Sequence, residues 1–277
     1  KISHFFQWGT PEDYNEFVYN LNEINNIQEA KKIKLNNVNL VIPAAGEGSR
    51  FKEKSYKKPK IYLDIDKSPL IIKIFNSFKN QLSTKMLILD SDFDNEIFLN
   101  KEIEFKKIHQ KTDGQADSAL LLIESIDNDN PILIHSADCI LDKSTEINIE
   151  ESDIIVYTKN NYRRAFSQKL NYGWVNSENG SIKNLSIKSS PETEESNVII
   201  GTFLFKNRDL FKSLYEDTKK NTSNSIEIHI DHMVETAIKN GLKVKEECSE
   251  KSSMLGTPVE YELFNYMKTV HDYLVLK

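Results

Sequence analysis

The feature that most limits what this chain can fold into is an apolar run that breaks into a small-residue loop and is then followed by two well-placed cations. Leu40-Val41-Ile42-Pro43 has strand length, and Ala44-Ala45-Gly46-Glu47-Gly48-Ser49 continues it with small residues at almost every position. Small residues let backbone N–H groups approach an anion closely. Arg50 then offers a forked guanidinium that suits phosphate oxygens, and Pro59 holds Lys60 as a point charge. No Gly-Lys-Ser/Thr closes the loop, so it is not a Walker A loop, and the third glycine of the dinucleotide fingerprint is missing.

Strands and helices alternate from Asn39 onward. Met86 to Asp90, Ile132 to Ser136 and Ile154 to Tyr157 are short apolar runs that read as buried strands. Leu70 to Phe78 and Ser118 to Glu124 have helical periodicity. Gly173 to Ile187 reads as a hairpin turning at Asn179-Gly180. Val198 to Phe205 is a further strand, and Asp231 to Asn240 a helix that stops at Gly241. This alternation predicts an α/β fold with a mostly parallel central sheet flanked by helices.

The 277 residues suffice for one large α/β domain or two small ones. The net charge of −6 argues against a broad nucleic-acid-binding face. Apolar runs stay at strand length, so no membrane partner is expected. Cys139 and Cys248 form neither a disulfide framework nor a zinc cluster, which fits a cytoplasmic protein.

One internal repeat stands out. Gly9-Thr10-Pro11 with Tyr14, Phe17 and Tyr19 matches Gly256-Thr257-Pro258 with Tyr261, Phe264 and Tyr266 at one constant offset. Each Gly-Thr-Pro opens a segment of helical spacing. We read residues 1–36 as the tail of an upstream related domain plus a polar linker over 22–37, and residues 37–277 as a second copy. The opening at Lys1, without Met, fits that expectation.

Ala44-Ala45-Gly46-Glu47-Gly48-Ser49-Arg50-Phe51 with Pro59-Lys60 resembles the signature of the sugar-nucleotide pyrophosphorylases and related cytidylyltransferases, phosphocholine cytidylyltransferases among them. Further segments resemble that family in its own order over about residues 38–270: Gln110 to Ala116, Ile134 to Asp138, Asn171 to Val175, Gly201 to Phe205, and Gly256-Thr257-Pro258. The resemblance implies a Rossmann-like nucleotide-diphospho-sugar transferase fold with a small β lid. It implies transfer of a nucleotidyl group from a nucleoside triphosphate to a sugar 1-phosphate or another small phosphomonoester, with release of pyrophosphate, for capsule or surface glycan synthesis. By the resemblance, Arg50 and Lys60 are catalytic and stabilise phosphate charge. Ala44, Ala45, Gly46, Glu47, Gly48, Ser49, Gln110, Gly114 and Gln115 bind the nucleotide, with a lean towards a pyrimidine. Gly173, Lys188, Gly201 and Thr202 line the acceptor pocket, and Asp138 holds Mg²⁺. Glu227 and Asp231 are similar to an acidic pair near the family's acceptor site. His109, His135, His229 and His232 have no clear metal spacing and read as structural.

Two positions depart from the family pattern. The second metal-binding aspartate is replaced by Met254, and by Gln7 in the first copy of the repeat. The usual Glu-Lys-Pro after the lid strand reads Ser189-Ser190-Pro191, with Lys188 beside it. A catalytically degenerate nucleotide-binding domain is therefore an alternative. A nucleotide-sugar-dependent glycosyltransferase is another, although Ser136-Ala137-Asp138 lacks the first acid of Asp-x-Asp.

Overall fold

The computed structural model describes residues 9–160, 162–222 and 227–275, leaving aside the Arg163 side chain. Gln7 and Trp8 of the repeat lie outside them. Helix α1 (Pro11–Gln28) leads to β1 (Ile33–Lys34), β2 (Asn39–Pro43), α2 (Ser49–Glu53), β3 (Asp64–Ile65), β4 (Ser68–Pro69), α3 (Leu70–Ser77), β5 (Phe78–Lys79), β6 (Ser83–Leu89) and β7 (Glu104–Ile108). Then come α4 (Gln115–Ile123), β8 (Ile132–His135), β9 (Cys139–Ile140), β10 (Ile154–Lys159), α5 (Arg163–Ser167), β11 (Gly173–Glu178) and β12 (Ser181–Ile187). The chain continues through β13 (Asn197–Phe205), α6 (Arg208–Asn221), α7 (Ile230–Lys239), β14 (Val244–Cys248), β15 (Ser253–Met254) and α8 (Pro258–Val275).

A nine-stranded sheet forms the centre, in the order β10-β14-β12-β11-β13-β8-β2-β6-β7, with β13 also paired to β10. Strands β8, β2, β6 and β7 run parallel. The direction reverses at β13, which is antiparallel to both β8 and β10. The β11–β12 hairpin, turning at Asn179-Gly180 as expected, is paired to the first residues of β13 through Trp174–Val198 and Val175–Asn197 and forms the lid.

The apolar runs are continuous because both faces of the sheet are covered. Along β2, Leu40 and Ile42 enter one core while Val41 enters the other. Along β6, Met86 and Ile88 alternate with Leu87 and Leu89 in the same way. Helices α1, α3 and α8 supply the first core, and α4, α6 and α7 the second. Among the described residues no helix is long and apolar enough to cross a membrane.

The polar stretch 22–37 is more ordered than a linker. Ile24 and Ile27 lie at helical spacing and are buried, which carries α1 to Gln28. Ile33 and Leu35 are buried as well, and β1 pairs parallel with β5. The two halves of the internal repeat are both 18-residue helices that pack on one another. Both begin with a reciprocal cap. The Asp13 amide donates to Thr10 Oγ1 (3.2 Å) while the Thr10 amide donates to Asp13 Oδ2 (3.1 Å). In α8 the Glu260 amide donates to Thr257 Oγ1 (3.2 Å) and the Thr257 amide to Glu260 Oε2 (2.8 Å).

Candidate active site

Parallel strands β2 and β8 are neighbours, so the loops leaving their C-terminal ends emerge side by side, where open α/β sheets place ligands. The loop after β2 is the glycine loop, and the loop after β8 carries Ser136-Ala137-Asp138. Ala44 and Ala45 are buried, and the Ala44 amide donates to the Leu87 carbonyl (2.9 Å), which anchors the loop to β6. Gly46, Glu47, Ser49 and Arg50 are exposed, and Gly48 stands at the N-cap of α2. Among the described residues, the amides of Gly46, Glu47 and Gly48 donate to no other backbone carbonyl, which leaves them available to an anion. A cavity of about 230 Å³ lies against this loop, walled by Gly46, Gly48, Lys60, Ser136 and Ala137.

Lys60 and Asp138 meet at its inner end, with Nζ and Oδ2 2.7 Å apart. The Ser136 hydroxyl donates to the other oxygen, Oδ1. Burial alone would raise the pKa of Asp138. The Lys60 ammonium and the Ser136 hydroxyl outweigh it and hold the carboxyl below its ordinary value. Asp138 is therefore an anion at neutral pH; it lines the second cavity, while its partner Lys60 lines the first.

The second cavity, about 430 Å³, adjoins the first across Ser136. It is lined by Arg50, Gln115, Gly173, Lys188, His229 and Asp231, among others. Arg50 Nη2 donates to Asn171 Oδ1 (3.2 Å), which draws the guanidinium towards the start of the lid. Two glycines shape the walls. Gly201 has φ +74°, and a Cβ there would sit 2.8 Å from Ser136 Cβ. A Cβ on Gly173 would sit 2.5 Å from Asp231 Oδ2. Glycine at these two positions keeps the wall thin where the acidic group reaches the cavity.

Burial pushes the Asp231 carboxyl up to about 6, against the opposing pull of Lys188. Burial, with Lys188 and His232, pushes His229 down to about 4, so this imidazole is neutral at pH 7. A carboxyl whose folded pKa exceeds its unfolded one, 3.8, contributes most to stability below pH 3.8. That contribution is lost as pH rises through about 6. Asp231→Asn is therefore expected to raise stability by about 1–3 kcal/mol at pH 7 and by less than about 1 kcal/mol at pH 4. Urea titrations at the two pH values measure the difference, and a gain that does not change with pH would contradict it.

The other expected site residues are placed as follows. Gln115 reaches the second cavity from the first turn of α4. Gly114 lies tightly against Ile228, whose carbonyl oxygen a Cβ would approach to 2.5 Å, and lines neither cavity. Gln110 is exposed and also lines neither. Thr202 is buried with its hydroxyl 2.8 Å from His135 Nδ1, so its side chain faces the core while the neighbouring Gly201 faces the cavity. His135 also contacts the Cys139 carbonyl (2.9 Å), in keeping with a structural role. His109 is exposed. His229, read as structural from the sequence, lines the second cavity at the start of α7.

Glu260 was not singled out by sequence. It is buried, and Oε1 accepts from the Tyr162 and Tyr172 hydroxyls, each at 2.8 Å. With the Thr257 amide on Oε2, this one carboxylate fixes the floor of the cavity and the approach to Gly173.

Mg²⁺ prefers hard oxygen ligands and is often held by one or two carboxylates plus phosphate oxygens. Asp138 supplies one such carboxylate, and Glu260 is already engaged by its three donors. Met254 lines the cavity with a soft thioether, and among the described residues no group of three or more His, Cys, Asp or Glu side chains could hold a metal. The donor set thus fits a cation shared between Asp138 and a bound triphosphate.

Comparison with solved structures decides the fold. A nucleoside-diphosphate-sugar pyrophosphorylase from Vibrio cholerae RC9 superimposes with a TM-score of 0.66 at 19% identity, over 81% of this chain and 98% of that one. The fold is that of the nucleotidyltransferases. The inositol-1-phosphate CTP transferase of T. maritima matches this nucleotidyltransferase fold with a TM-score of 0.63 at 16% identity, over 84% of this chain and 96% of that one. The CTP:phosphocholine cytidylyltransferase of Streptococcus pneumoniae matches at 0.60 and 15% identity, over 83% and 99%. No family model matches the sequence, and no curated protein sequence matches it.

Proposed function

We propose that this chain is a cytoplasmic nucleotidyltransferase that joins a nucleoside triphosphate to a small phosphomonoester and releases pyrophosphate. The observation that carries this reading is the pair of cavities that meet at Ser136, one against the glycine loop and Lys60, the other between Lys188, Gly173 and Asp231. Two substrates bound there approach each other beside Asp138. The acceptor's phosphate oxygen attacks the α-phosphorus, and the bond to the pyrophosphate breaks. Such transfer needs alignment and charge neutralisation more than a strong base.

The free amides of Gly46 to Gly48 and the Arg50 guanidinium bind the triphosphate in this scheme, and Lys60 stabilises charge that builds on the transferred phosphate. Asp138 holds Mg²⁺, which neutralises phosphate charge when bound. Gln115 reads the base from α4 where the nucleotide extends past Arg50 into the second cavity, which both residues line, while Gln110 and Gly114 are nearby in the chain but line neither cavity. Lys188 meets the acceptor's phosphate, while Asp231 and neutral His229 accept and donate hydrogen bonds to its polar body. A pyrimidine triphosphate is favoured, since two of the compared structures are named as CTP enzymes. The acceptor is a sugar 1-phosphate or another phosphorylated alcohol, serving capsule or surface glycan synthesis. The paired caps of α1 and α8 support reading the N-terminal segment as the end of an upstream related domain.

Met254 favours one competing reading, a domain that binds nucleotide without turning it over. Pyrophosphate release, measured with Mg²⁺ over the common triphosphates and a panel of phosphorylated sugars and alcohols, separates the two. Release that needs one triphosphate and one acceptor together is expected. Triphosphate binding with no release across the panel would support the non-catalytic domain, and transfer from a ready-made nucleotide-sugar would support a glycosyltransferase.

A further inference from the structure

A third cavity, about 330 Å³, shares no lining residue with the two just described. It lies between the C-terminal end of α1 with the residues that follow, the last turn of α3, and the turn after β9. Lys31, Lys32, Lys73 and Lys143 line it, against one carboxylate, Glu29.

Lys143 is the informative residue. It is 5% exposed, and its Nζ donates to Ser77 Oγ at 2.5 Å. The Ser77 hydroxyl donates in turn to the Lys73 carbonyl (2.8 Å). Two of the three ammonium donors are left over, and among the described residues no carboxylate forms an ion pair with Lys143. The two other buried lysines among the described residues each have a carboxylate partner, Lys85 in Glu104 (2.5 Å) and Lys159 in Glu23 (2.6 Å). A buried charge without a paired counter-ion is costly, and Glu29 on the cavity wall acts on Lys143 only from beyond ion-pair distance, so a bound anion would supply the missing charge. Burial first, then Lys73, lowers the Lys143 pKa to about 8, so it still carries its proton at pH 7.

The surroundings suit a phosphoryl group. Lys73 is held by Asp66 (3.0 Å), which steadies it at the rim while sharing its charge. Lys101 donates to Asn76 Oδ1 (2.8 Å), which leaves the Asn76 Nδ2 to donate elsewhere. Lys31 and Lys32 are exposed and free to close over a ligand. Convergent ammonium and amide donors form strong charge-assisted hydrogen bonds to phosphate oxygens.

We propose that this cavity is a phosphate-binding site separate from the reaction centre, which takes inorganic phosphate or the phosphoryl group of a small metabolite on Lys143. An anion bound there ties α1, α3 and the turn after β9 together. Strand β9, which leads into that turn, begins next to Asp138 and is paired to β15 through Met254–Cys139.

Calorimetric and thermal-shift titrations with inorganic phosphate test the proposal on four proteins: wild type, Lys60→Ala, Lys143→Met, and the double variant Lys31→Ala/Lys32→Ala. Saturable binding and a raised unfolding midpoint are expected in wild type and in Lys60→Ala. Lys143→Met is expected to weaken binding by roughly tenfold or more, and the double variant, whose side chains are exposed and leave the core intact, by roughly three- to tenfold. Repeating the titration with a hexose monophosphate separates the two sources of the group, since tighter binding than phosphate points to a metabolite and equal binding to the free ion. Binding that survives in both lysine variants, or that disappears in Lys60→Ala, would overturn the assignment.

Discussion

Lys60→Ala is expected to slow pyrophosphate release by about 10²–10³-fold, the usual effect of removing one donor aimed at transition-state charge. Lys60 follows Pro59 and opens a single helical turn, Lys60–Tyr62, so its backbone is fixed. Its Nζ sits 2.7 Å from Asp138 Oδ2, and it lines the first cavity together with the glycine loop and Ser136, which the second cavity shares. Both side chains are about a quarter exposed, at 22% and 27%, so solvent screening is incomplete and the charge acts at short range. Removal also leaves Asp138 with the Ser136 hydroxyl and no cation. Its pKa then rises, and the acid limb of the rate profile moves to higher pH with it. Steady-state rates for Lys60→Ala, with circular dichroism to verify folding, measure both effects. A loss below about fivefold would assign Lys60 to ground-state pairing with Asp138 alone.

The second large effect concerns stability. Lys159 is fully buried, with Nζ 2.6 Å from Glu23 Oε1, donating also to the Ser252 carbonyl and lying 4.5 Å from the Tyr19 ring centre. Lys159→Met leaves the Glu23 carboxylate buried in α1 with no other ion pair among the described residues, and with Arg164 acting on it only from further away. A loss of about 3–5 kcal/mol is expected, because breaking one side of a buried pair strands the other charge. The double variant Lys159→Met/Glu23→Leu removes both charges and is expected to recover most of the loss. Urea midpoints and limited proteolysis of α1 measure this. If Lys159→Met changes stability by less than about 1 kcal/mol, α1 is not held by this pair. The Asn26 side chain also bridges the Leu141 carbonyl and the Lys143 amide (3.2 and 2.7 Å), so α1 is part of the folded unit.

What was legible in the sequence was local. The glycine loop, Arg50 and Pro59-Lys60 declare themselves because their chemistry depends on neighbours a few positions away. The strands of the parallel half read clearly because burial on both faces leaves no polar alternation to confuse. Gly173, Lys188, Gly201 and Asp138 all line the second cavity. Thr202 does not, because adjacent strand residues face opposite sides and nothing local says which side holds the ligand. Glu260 reads as an ordinary first-turn acid, and its partners Tyr162 and Tyr172 are 98 and 88 positions away. His229 reads as a lone histidine, and only the packing of α7 brings it to the cavity. The polar run 22–37 hides its isoleucines among asparagines and lysines, and tertiary burial, which no propensity reports, orders it.

Strand β13 ties the lid to the core. Its first residues, Asn197 and Val198, pair with the lid strand β11, and its last four pair with β8 in the middle of the sheet. Mechanically, then, the lid is a beam held at both ends by the sheet and not a flap on a loop. Its root cannot swing without breaking sheet hydrogen bonds, and its tip is tied as well, since Ser181 pairs with Lys245 of β14 and the Gly180 carbonyl accepts from the Glu246 amide (2.8 Å), so the stiffness of the second cavity's wall is inherited from the sheet. Gly201 lies between the two sets of pairings, with a backbone conformation few other residues adopt, and marks where the strand passes from lid to core.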